Sequence, residues 1–150
     1  MQLTRAADYA LRVMVHLAGL PPDTRVNRSE LAAAAECPDQ FMSKVLQHLI
    51  RAKLLISHRG NVGGFELTTK GRHATILKVV EVIEGPIHLN VCVFSERACR
   101  RKPRCPVHPV WREAQTALTD VLRSVTISDL ADHARAMAAE SEPLTELKWS

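Results

Sequence analysis

Residues 38–68 read PDQFMSKVLQHLIRAKLLISHRGNVGGFELT. The first half, residues 38–53, has apolar residues at helical spacing, and Pro38 suits the first position of a helix. The second half reads as a strand over 54–60, a glycine-containing turn, and a returning strand over 65–68. This stretch therefore predicts a helix that is followed directly by a β-hairpin.

The two faces of the predicted 38–53 helix differ in chemistry. Its apolar face contains Phe41, Met42, Val45, Leu46, Leu49 and Ile50. Its polar stripe contains Gln40, Ser43, Lys44, Gln47 and Arg51. Amide, hydroxyl and cationic groups can hydrogen-bond to base edges and phosphates in a DNA major groove. An ordinary solvated helix face would have a similar composition.

The residues before this helix predict a helix-turn-helix. The segment NRSELAAAAE, residues 27–36, reads as a short helix that Asn27 or Ser29 can cap. Cys37 and Pro38 then interrupt the helix. Two helices joined by a tight turn form a helix-turn-helix, and the hairpin after them makes a winged helix. Residues 2–18 predict one further helix upstream.

The tip of the predicted wing carries a second set of candidate DNA contacts. Arg59 lies just before the tip, and Gly60 follows it. A narrow minor groove has a strongly negative potential that attracts arginine. Gly60 allows a close approach to a DNA backbone, although its role would otherwise be limited to forming the turn.

Net charge points to the same half of the chain. The 150 residues carry a net charge of +4. Residues 1–75 contain ten Lys or Arg and six Asp or Glu, an excess of four, whereas residues 76–150 contain ten of each. The N-terminal half thus holds the whole excess, and we expect a polyanion such as double-stranded DNA as its partner.

Length and hydropathy limit the class of protein. A chain of 150 residues predicts one domain, or one domain with an extended arm. The N-terminus is charged, which argues against a signal peptide, and no apolar run is long enough to span a membrane. We therefore expect a cytoplasmic protein with reduced thiols and no membrane partner.

Residues 75–150 predict helices rather than a second basic unit. Helical patterns cover 75–85, 109–124 and 126–138, and the second of these has apolar residues along one side. One small winged helix cannot bury all this surface, so we expect the long helix to pair with its copy in a two-fold dimer. Such a dimer predicts a near-palindromic operator. We divide the chain into a DNA-binding region, 1–74, and a cysteine loop with dimerisation helices, 75–150, within one structural unit.

Three of the four cysteines lie in one basic stretch, VCVFSERACRRKPRCPVHPVW, residues 91–111. The spacing is C-x6-C-x5-C-x2-H, which lacks the closely paired ligands that are typical of structural zinc. A loose loop of this kind favours an iron–sulfur cluster held by thiolates, and neighbouring cations would stabilise its negative charge. A zinc site, a cofactor-free redox thiol set and a basic patch for DNA remain alternatives.

With these motifs, the chain resembles the winged-helix iron–sulfur regulators that include the iron–sulfur cluster assembly regulator and the nitric-oxide-sensing repressor. The resemblance rests on the three cysteines and on four segments: MQLTRAADYALR (1–12), RGNVGGFELT (59–68), VHPVW (107–111) and TISDLAD (126–132). It implies a homodimer that binds DNA, mostly as a repressor, with cluster state controlling affinity or operator choice.

The resemblance also implies roles for individual residues. The implied cluster ligands are Cys92, Cys99 and Cys105. Arg59 matches a wing arginine that enters the minor groove, and the stretch from Arg28 to Arg51 matches the helix-turn-helix. Ser43 departs from the cluster assembly regulators, which carry an acidic residue there, so their operator preference is not expected here.

Two residues match the fourth ligand in different members. Asp8 matches an aspartate that completes a four-iron cluster from the partner subunit, and His108 matches a histidine that completes a two-iron cluster. The opening MQLTRAADYALR favours Asp8 and the four-iron cluster. Otherwise Asp8 would form a surface ion pair with Arg5 or Arg12, and His108 would cap a helix or be exposed.

Three functions are compatible with these features. The first is a DNA-binding regulator that senses nitric oxide, redox state or iron through its cluster. The second is a regulator that uses zinc or free thiols, and the third is a small iron–sulfur electron carrier. No catalytic constellation is apparent, so we expect no enzyme. Cys37 lies outside the cysteine loop, and we expect it to be a small buried hydrophobic residue.

Overall fold

The computed structural model describes residues 2–95 and 97–140 of the chain. Over these residues the fold is mainly helical, with one antiparallel hairpin. The helices are α1 Arg5–Gly19, α2 Arg28–Ala35, α3 Asp39–Arg51, α4 Thr69–Arg72, α5 Ile76–Glu84, α6 Val91–Phe94, α7 His108–Ser124 and α8 Ile127–Glu140. The strands are β1 Leu55–His58 and β2 Gly64–Leu67.

Side-chain caps start several of these helices where the sequence predicts them. The side chain of Asn27 accepts a hydrogen bond of 2.9 Å from the backbone N–H of Glu30 and begins α2. Thr75 caps α5 in the same way. Thr126 caps α8. Each cap satisfies a backbone donor that has no partner within its helix.

One hydrophobic core holds the helix-turn-helix together. Helix α1 lies at its centre and packs against α2, α3, α5 and α8. Buried leucines and methionines such as Met14, Leu31 and Leu46 fill it, and each contributes about 1.5–3 kcal/mol relative to an exposed side chain. The predicted apolar face of α3 is confirmed except at Phe41, which is 51% exposed because the buried stripe runs through Met42, Val45 and Leu49 instead.

The wing is a two-stranded sheet with an additional backbone bridge. Strands β1 and β2 pair from Leu55 with Leu67 to His58 with Gly64. Val26, in the loop before α2, forms a bridge with Phe65 of β2. The winged helix is therefore confirmed, and its hairpin is attached to the loop between α1 and α2.

The C-terminal helices fold back onto the DNA-binding region. Helix α5 packs against α1, α3 and α7, and α8 returns to α1. On α7, Leu118 and Leu122 pack onto a small cluster beneath α5. Val110 and Val121 are instead more than 60% exposed. The apolar residues predicted to share one side of this helix therefore divide into a group that packs beneath α5 and a group that is exposed. No helix in the described ranges is long and apolar enough to cross a membrane.

Candidate DNA interface and cysteine loop

The exposed face of α3 carries the predicted DNA contacts. Burial of the opposite face leaves Gln40, Lys44, Gln47 and Arg51 exposed, while Ser43 is half-buried. The turn before α3 includes Glu36 in the left-handed conformation, with φ of 52°. This turn lets α3 cross α2, and the core contacts of α3 then direct its polar stripe outward. The arrangement matches that of a recognition helix.

Arg28 links the first turn of α2 to this stripe. Its Nη1 donates a 2.8 Å hydrogen bond to Ser43 Oγ, and its Nη2 lies 2.9 Å from a carboxylate oxygen of Asp39. The guanidinium group is thus held against the recognition helix before any DNA is bound. Sequence reasoning missed Asp39, because an acidic residue at a helix start is expected from the helix dipole alone.

The wing tip is exposed where the sequence predicts it. Arg59 and Gly60 lie on the solvent side of the turn after β1. Gly60 has φ of 99°, a conformation that most residues avoid. The wing packs against α3, so one chain presents both elements on the same winged helix.

The cysteine loop is built differently from the DNA interface. Cys92 lies on α6, whereas Cys99 and Cys105 lie in a series of turns that lead to α7. All three are free thiols of intermediate burial. Among the residues that the structure describes, no three His, Cys, Asp or Glu side chains lie close enough together to form a metal site. The loop therefore carries the predicted ligands without bringing them together.

Two of the loop thiols line two neighbouring cavities that share lining residues. One cavity is lined by Cys99 and His108, and the other by Cys105. Arg100 and Pro103 line both cavities and so lie between the two thiols.

His108 is the least satisfied polar group of the loop. It begins α7 and is only 8% exposed, so an exposed histidine, one of the two alternatives to a ligand, does not apply. Neither ring nitrogen has a hydrogen-bond partner in the described structure. A buried polar group without a partner is costly, and such groups in native proteins require an explanation, for example an ion that binds there.

His88 is a second candidate that sequence reasoning missed. Its Nε2 is buried without a hydrogen-bond partner, and its ring contacts Phe94 edge-on, with 4.5 Å between ring centroids. The signal in the sequence was a histidine four residues before Cys92, but a single histidine before a loop is uninformative without its burial.

Four arginines of the cysteine loop have no carboxylate partner among the residues that the structure describes. These are Arg97, Arg100, Arg101 and Arg104. Arginines without a carboxylate partner in the described ranges favour an anionic group bound beside them.

Asp8 lies on the outer surface of α1. Its carboxylate pairs with Arg12 at 2.9 Å, which is the predicted i,i+4 ion pair. Arg12 also donates to the carbonyl of Ala35 and approaches Glu36. Within one chain, Asp8 is therefore engaged with α1 and α2 rather than with a residue of the cysteine loop.

Cys37 behaves as expected from the sequence. It is buried between α2 and α3. Burial, and next the charge of Asp39, raise the pKa of this thiol above its ordinary value. A thiol with a raised pKa stays protonated at neutral pH, so it is neither a good nucleophile nor a ready metal ligand.

Residues 3–133 match the Rrf2 family, which is described as iron-dependent transcriptional regulators. This chain belongs to the Rrf2 family. The match covers both the helix-turn-helix with its wing and the cysteine loop. The predicted resemblance to winged-helix regulators is thereby confirmed.

Individual relatives extend this finding. A Mycobacterium tuberculosis H37Rv protein named as an HTH-type transcriptional regulator is 34% identical over 131 residues, covering 87% of this chain and 81% of the relative. The HTH-type transcriptional regulator NsrR of Geobacillus kaustophilus is 30% identical over 133 residues, with coverages of 88% and 90%.

Solved structures agree with the fold. CymR, described as the global cysteine regulator of Bacillus subtilis, superimposes with a TM-score of 0.72 at 25% identity, covering 89% of this chain and 98% of that one. The T. potens IscR structure gives a TM-score of 0.71 at 21% identity, with coverages of 91% and 90%. Its likeness shows the fold alone. The Rrf2 chain is accordingly a DNA-binding transcriptional regulator and not an enzyme.

Proposed function

We propose that this Rrf2 regulator is a homodimeric repressor whose DNA affinity is controlled by an iron–sulfur cluster at Cys92, Cys99 and Cys105. One observation carries the proposal: the buried imidazole of His108 lines the same cavity as Cys99, Arg97 and Arg100. Within residues 2–95 and 97–140, its ring nitrogens have no hydrogen-bond partner and these arginines have no carboxylate partner. The family description as iron-dependent regulators supports it.

The donor chemistry fits such a group. Three thiols supply soft, anionic ligands, and the surrounding arginines offset their negative charge. His108 can supply a fourth ligand from the same chain, and its free nitrogens favour that route. The other route is Asp8 of the partner subunit, which would have to leave Arg12. We keep both as proposals, with the two-iron cluster assigned to the first route and the four-iron cluster to the second.

Helix α5 can carry the signal from the loop to DNA. A bound cluster would supply reactivity towards nitric oxide, oxidants or iron shortage. The chain supplies the connection: Gly85 ends α5, and the cysteine loop follows it. Glu84, at the end of α5, accepts a 2.8 Å hydrogen bond from the backbone N–H of Thr4, just before α1. The same helix packs against α3.

This connection needs only a modest free energy. A change of ~1–3 kcal/mol between the two loop states would alter DNA affinity about 5–150-fold. A shift of α5 would move α3 with it, since the two helices are in contact. We propose that Arg28, Gln40, Ser43, Lys44, Gln47 and Arg51 contact the major groove, with Arg59 and Gly60 at the minor groove.

We propose that the dimer forms through the exposed apolar side of α7. Val110, Trp111 and Val121 expose apolar surface there. Pairing of two such helices would bury this surface and place two recognition helices about one DNA turn apart. A near-palindromic operator follows from the two-fold symmetry.

A regulator that senses through free thiols is the second candidate. The CymR relative is described as a global cysteine regulator, and the three loop cysteines here are partly accessible free thiols. The electron-carrier hypothesis, in contrast, has no support once the chain is placed in a family of transcriptional regulators.

Anaerobic purification separates these candidates. The protein should be brown and should contain iron and acid-labile sulfide in matched amounts. Colourless protein that binds one zinc per chain would overturn the cluster proposal. Metal-free protein whose operator affinity changes on thiol oxidation would support the second candidate.

A further inference from the structure

A network of charged and polar side chains joins the base of the wing to the loop before α2. The Nε of Arg25 lies 3.7 Å from a carboxylate oxygen of Glu66, and its Nη1 donates a 3.3 Å hydrogen bond to the carbonyl of Val62. The same Glu66 oxygen lies 2.8 Å from the Nε2 of His58. An ionised carboxylate only accepts, so His58 is the donor.

The geometry of the hairpin explains why these groups meet. Glu66 pairs with Ile56, so His58 is its diagonal neighbour on the same face of the sheet. Gly64 lies opposite His58 in the hairpin. A Cβ on Gly64 would come within 2.9 Å of the carbonyl oxygen of Val26, so this glycine also permits the backbone bridge between the loop and β2.

We propose that Arg25, Glu66 and His58 form a brace that holds the wing rigid and positions the adjacent Arg59 for the groove. The proposal rests on the wing contact put forward above. In the brace, Arg25 contacts Glu66 on β2 and the carbonyl of Val62 in the wing turn. His58 immediately precedes Arg59, so its bond to Glu66 fixes the direction in which Arg59 leaves the strand.

Removing the negative charge of Glu66 should have opposite effects on DNA binding in two cases. In one case Glu66 braces the wing, and in the other it only lies near DNA phosphates. A carboxylate on a DNA-facing element repels phosphates, so electrostatics alone predicts that its removal strengthens DNA binding. Glu66 is the most buried of the three side chains, at 17% exposure, and it contacts both of the others. If the brace positions Arg59, removal of this negative charge weakens binding instead.

The decisive variant is therefore Glu66→Gln, with Glu30→Gln as its matched control. Glu30 is an exposed residue of α2, outside the wing. Fixing the backbone of one residue changes an equilibrium constant by roughly tenfold, so we expect Glu66→Gln to weaken operator binding about three- to tenfold. Glu30→Gln should leave affinity unchanged or slightly increase it. Tighter binding by Glu66→Gln would overturn the brace and leave Arg25 as a phosphate contact.

Amide hydrogen exchange of the full-length protein without DNA tests the brace independently of the wing contact. Glu66→Gln should speed exchange at Val26 and Phe65, whose amides bond to each other's carbonyls at 3.0 and 2.8 Å. Unchanged exchange overturns the brace.

A double-mutant cycle with Arg59→Ala completes the test. If Glu66 acts through Arg59, its substitution should have little further effect on DNA affinity in the Arg59→Ala background. Full additivity would overturn the positioning role. An Arg59→Ala variant that binds DNA normally would instead reject the wing contact of the proposed function, so the two failures are distinguishable.

Discussion

The DNA-binding region and the cysteine loop differ in whether their polar and charged side chains have partners within the chain. In the former, two charged side chains already have partners: Arg28 is held by Asp39 and Ser43, and Glu66 by Arg25 and His58. In the loop, both nitrogens of His108 are buried without partners, and four arginines lack ion pairs in the described structure.

This difference indicates where the chain depends on another component. A surface whose side chains are held before binding loses little entropy when DNA arrives. A loop that buries unsatisfied nitrogens beside partly exposed thiols is more costly by itself, and its stability would rise when a ligand satisfies those groups. The DNA-binding region thus has charged side chains that are held before DNA binds, whereas the cysteine loop has unsatisfied groups that a ligand could satisfy.

The largest effect is expected from the loop cysteines. Changing Cys92, Cys99 or Cys105 to Ala should each abolish the visible absorbance and the acid-labile sulfide, because the remaining ligands cannot hold a cluster. Cys37→Ala should retain both, since that buried thiol stays protonated. Spectra of anaerobically purified variants measure this. If Cys37→Ala alone lost its colour, Cys37 rather than the loop cysteines would be the cluster ligand.

His108→Leu should have opposite effects on the two states of the loop. Without a cluster, the variant should be more stable than the parent by ~1–3 kcal/mol, because two unsatisfied buried nitrogens are removed. With a cluster, it should lose iron faster. Chemical denaturation and iron-release rates test the two arms. A less stable cluster-free variant would show that His108 has a structural partner in solution.

Asp8→Asn tests the other candidate for the fourth ligand, Asp8 of the partner subunit. If Asp8 of the partner subunit is the fourth ligand, Asp8→Asn should destabilise the cluster and uncouple DNA affinity from cluster state, while His108→Leu leaves the spectrum intact. The opposite pair of results favours a two-iron cluster held within one chain.

At the wing, Arg59→Ala should weaken operator binding by ~1–3 kcal/mol. The physical reason is the loss of a cation in a narrow groove of negative potential, so the deficit should be greatest on operators with A·T pairs at the wing contacts. Titration of labelled operators at fixed salt measures it. Equal losses on A·T-rich and G·C-rich operators would indicate a phosphate contact rather than a minor-groove contact.

The smallest effect concerns the cap of α8. Thr126 donates and accepts hydrogen bonds with Asp129, and the bonds from Thr126 lower the pKa of this carboxyl below its ordinary value of 3.8. A lowered folded-state pKa stabilises the protein above the unfolded pKa, and that contribution is lost as pH falls through the folded pKa.

Asp129→Asn should remove this dependence. Melting temperatures of the variant and parent should differ near neutral pH and converge below the folded pKa. Asp120→Asn, an exposed carboxylate on α7, is the control. A parent–variant difference that grows as pH falls would contradict the sign.

Local sequence determined much of this protein. Helical spacing, Asn27 as a cap, and the glycines of the wing specified the winged helix, because each acts on neighbouring backbone. The three cysteines predict a cluster-binding loop for the same reason, since ligand type and spacing are readable along the chain, and that loop stays a prediction.

Tertiary structure alone decided which groups meet across elements. Nothing near Glu66 in sequence indicates that Arg25, 41 positions away, reaches it, because the contact depends on the bridge between Val26 and Phe65. The burial of His108 likewise depends on how α7 packs, not on its neighbours in sequence. Partners and desolvation arise only when distant segments pack together, and they determine what each charged or titratable group can do.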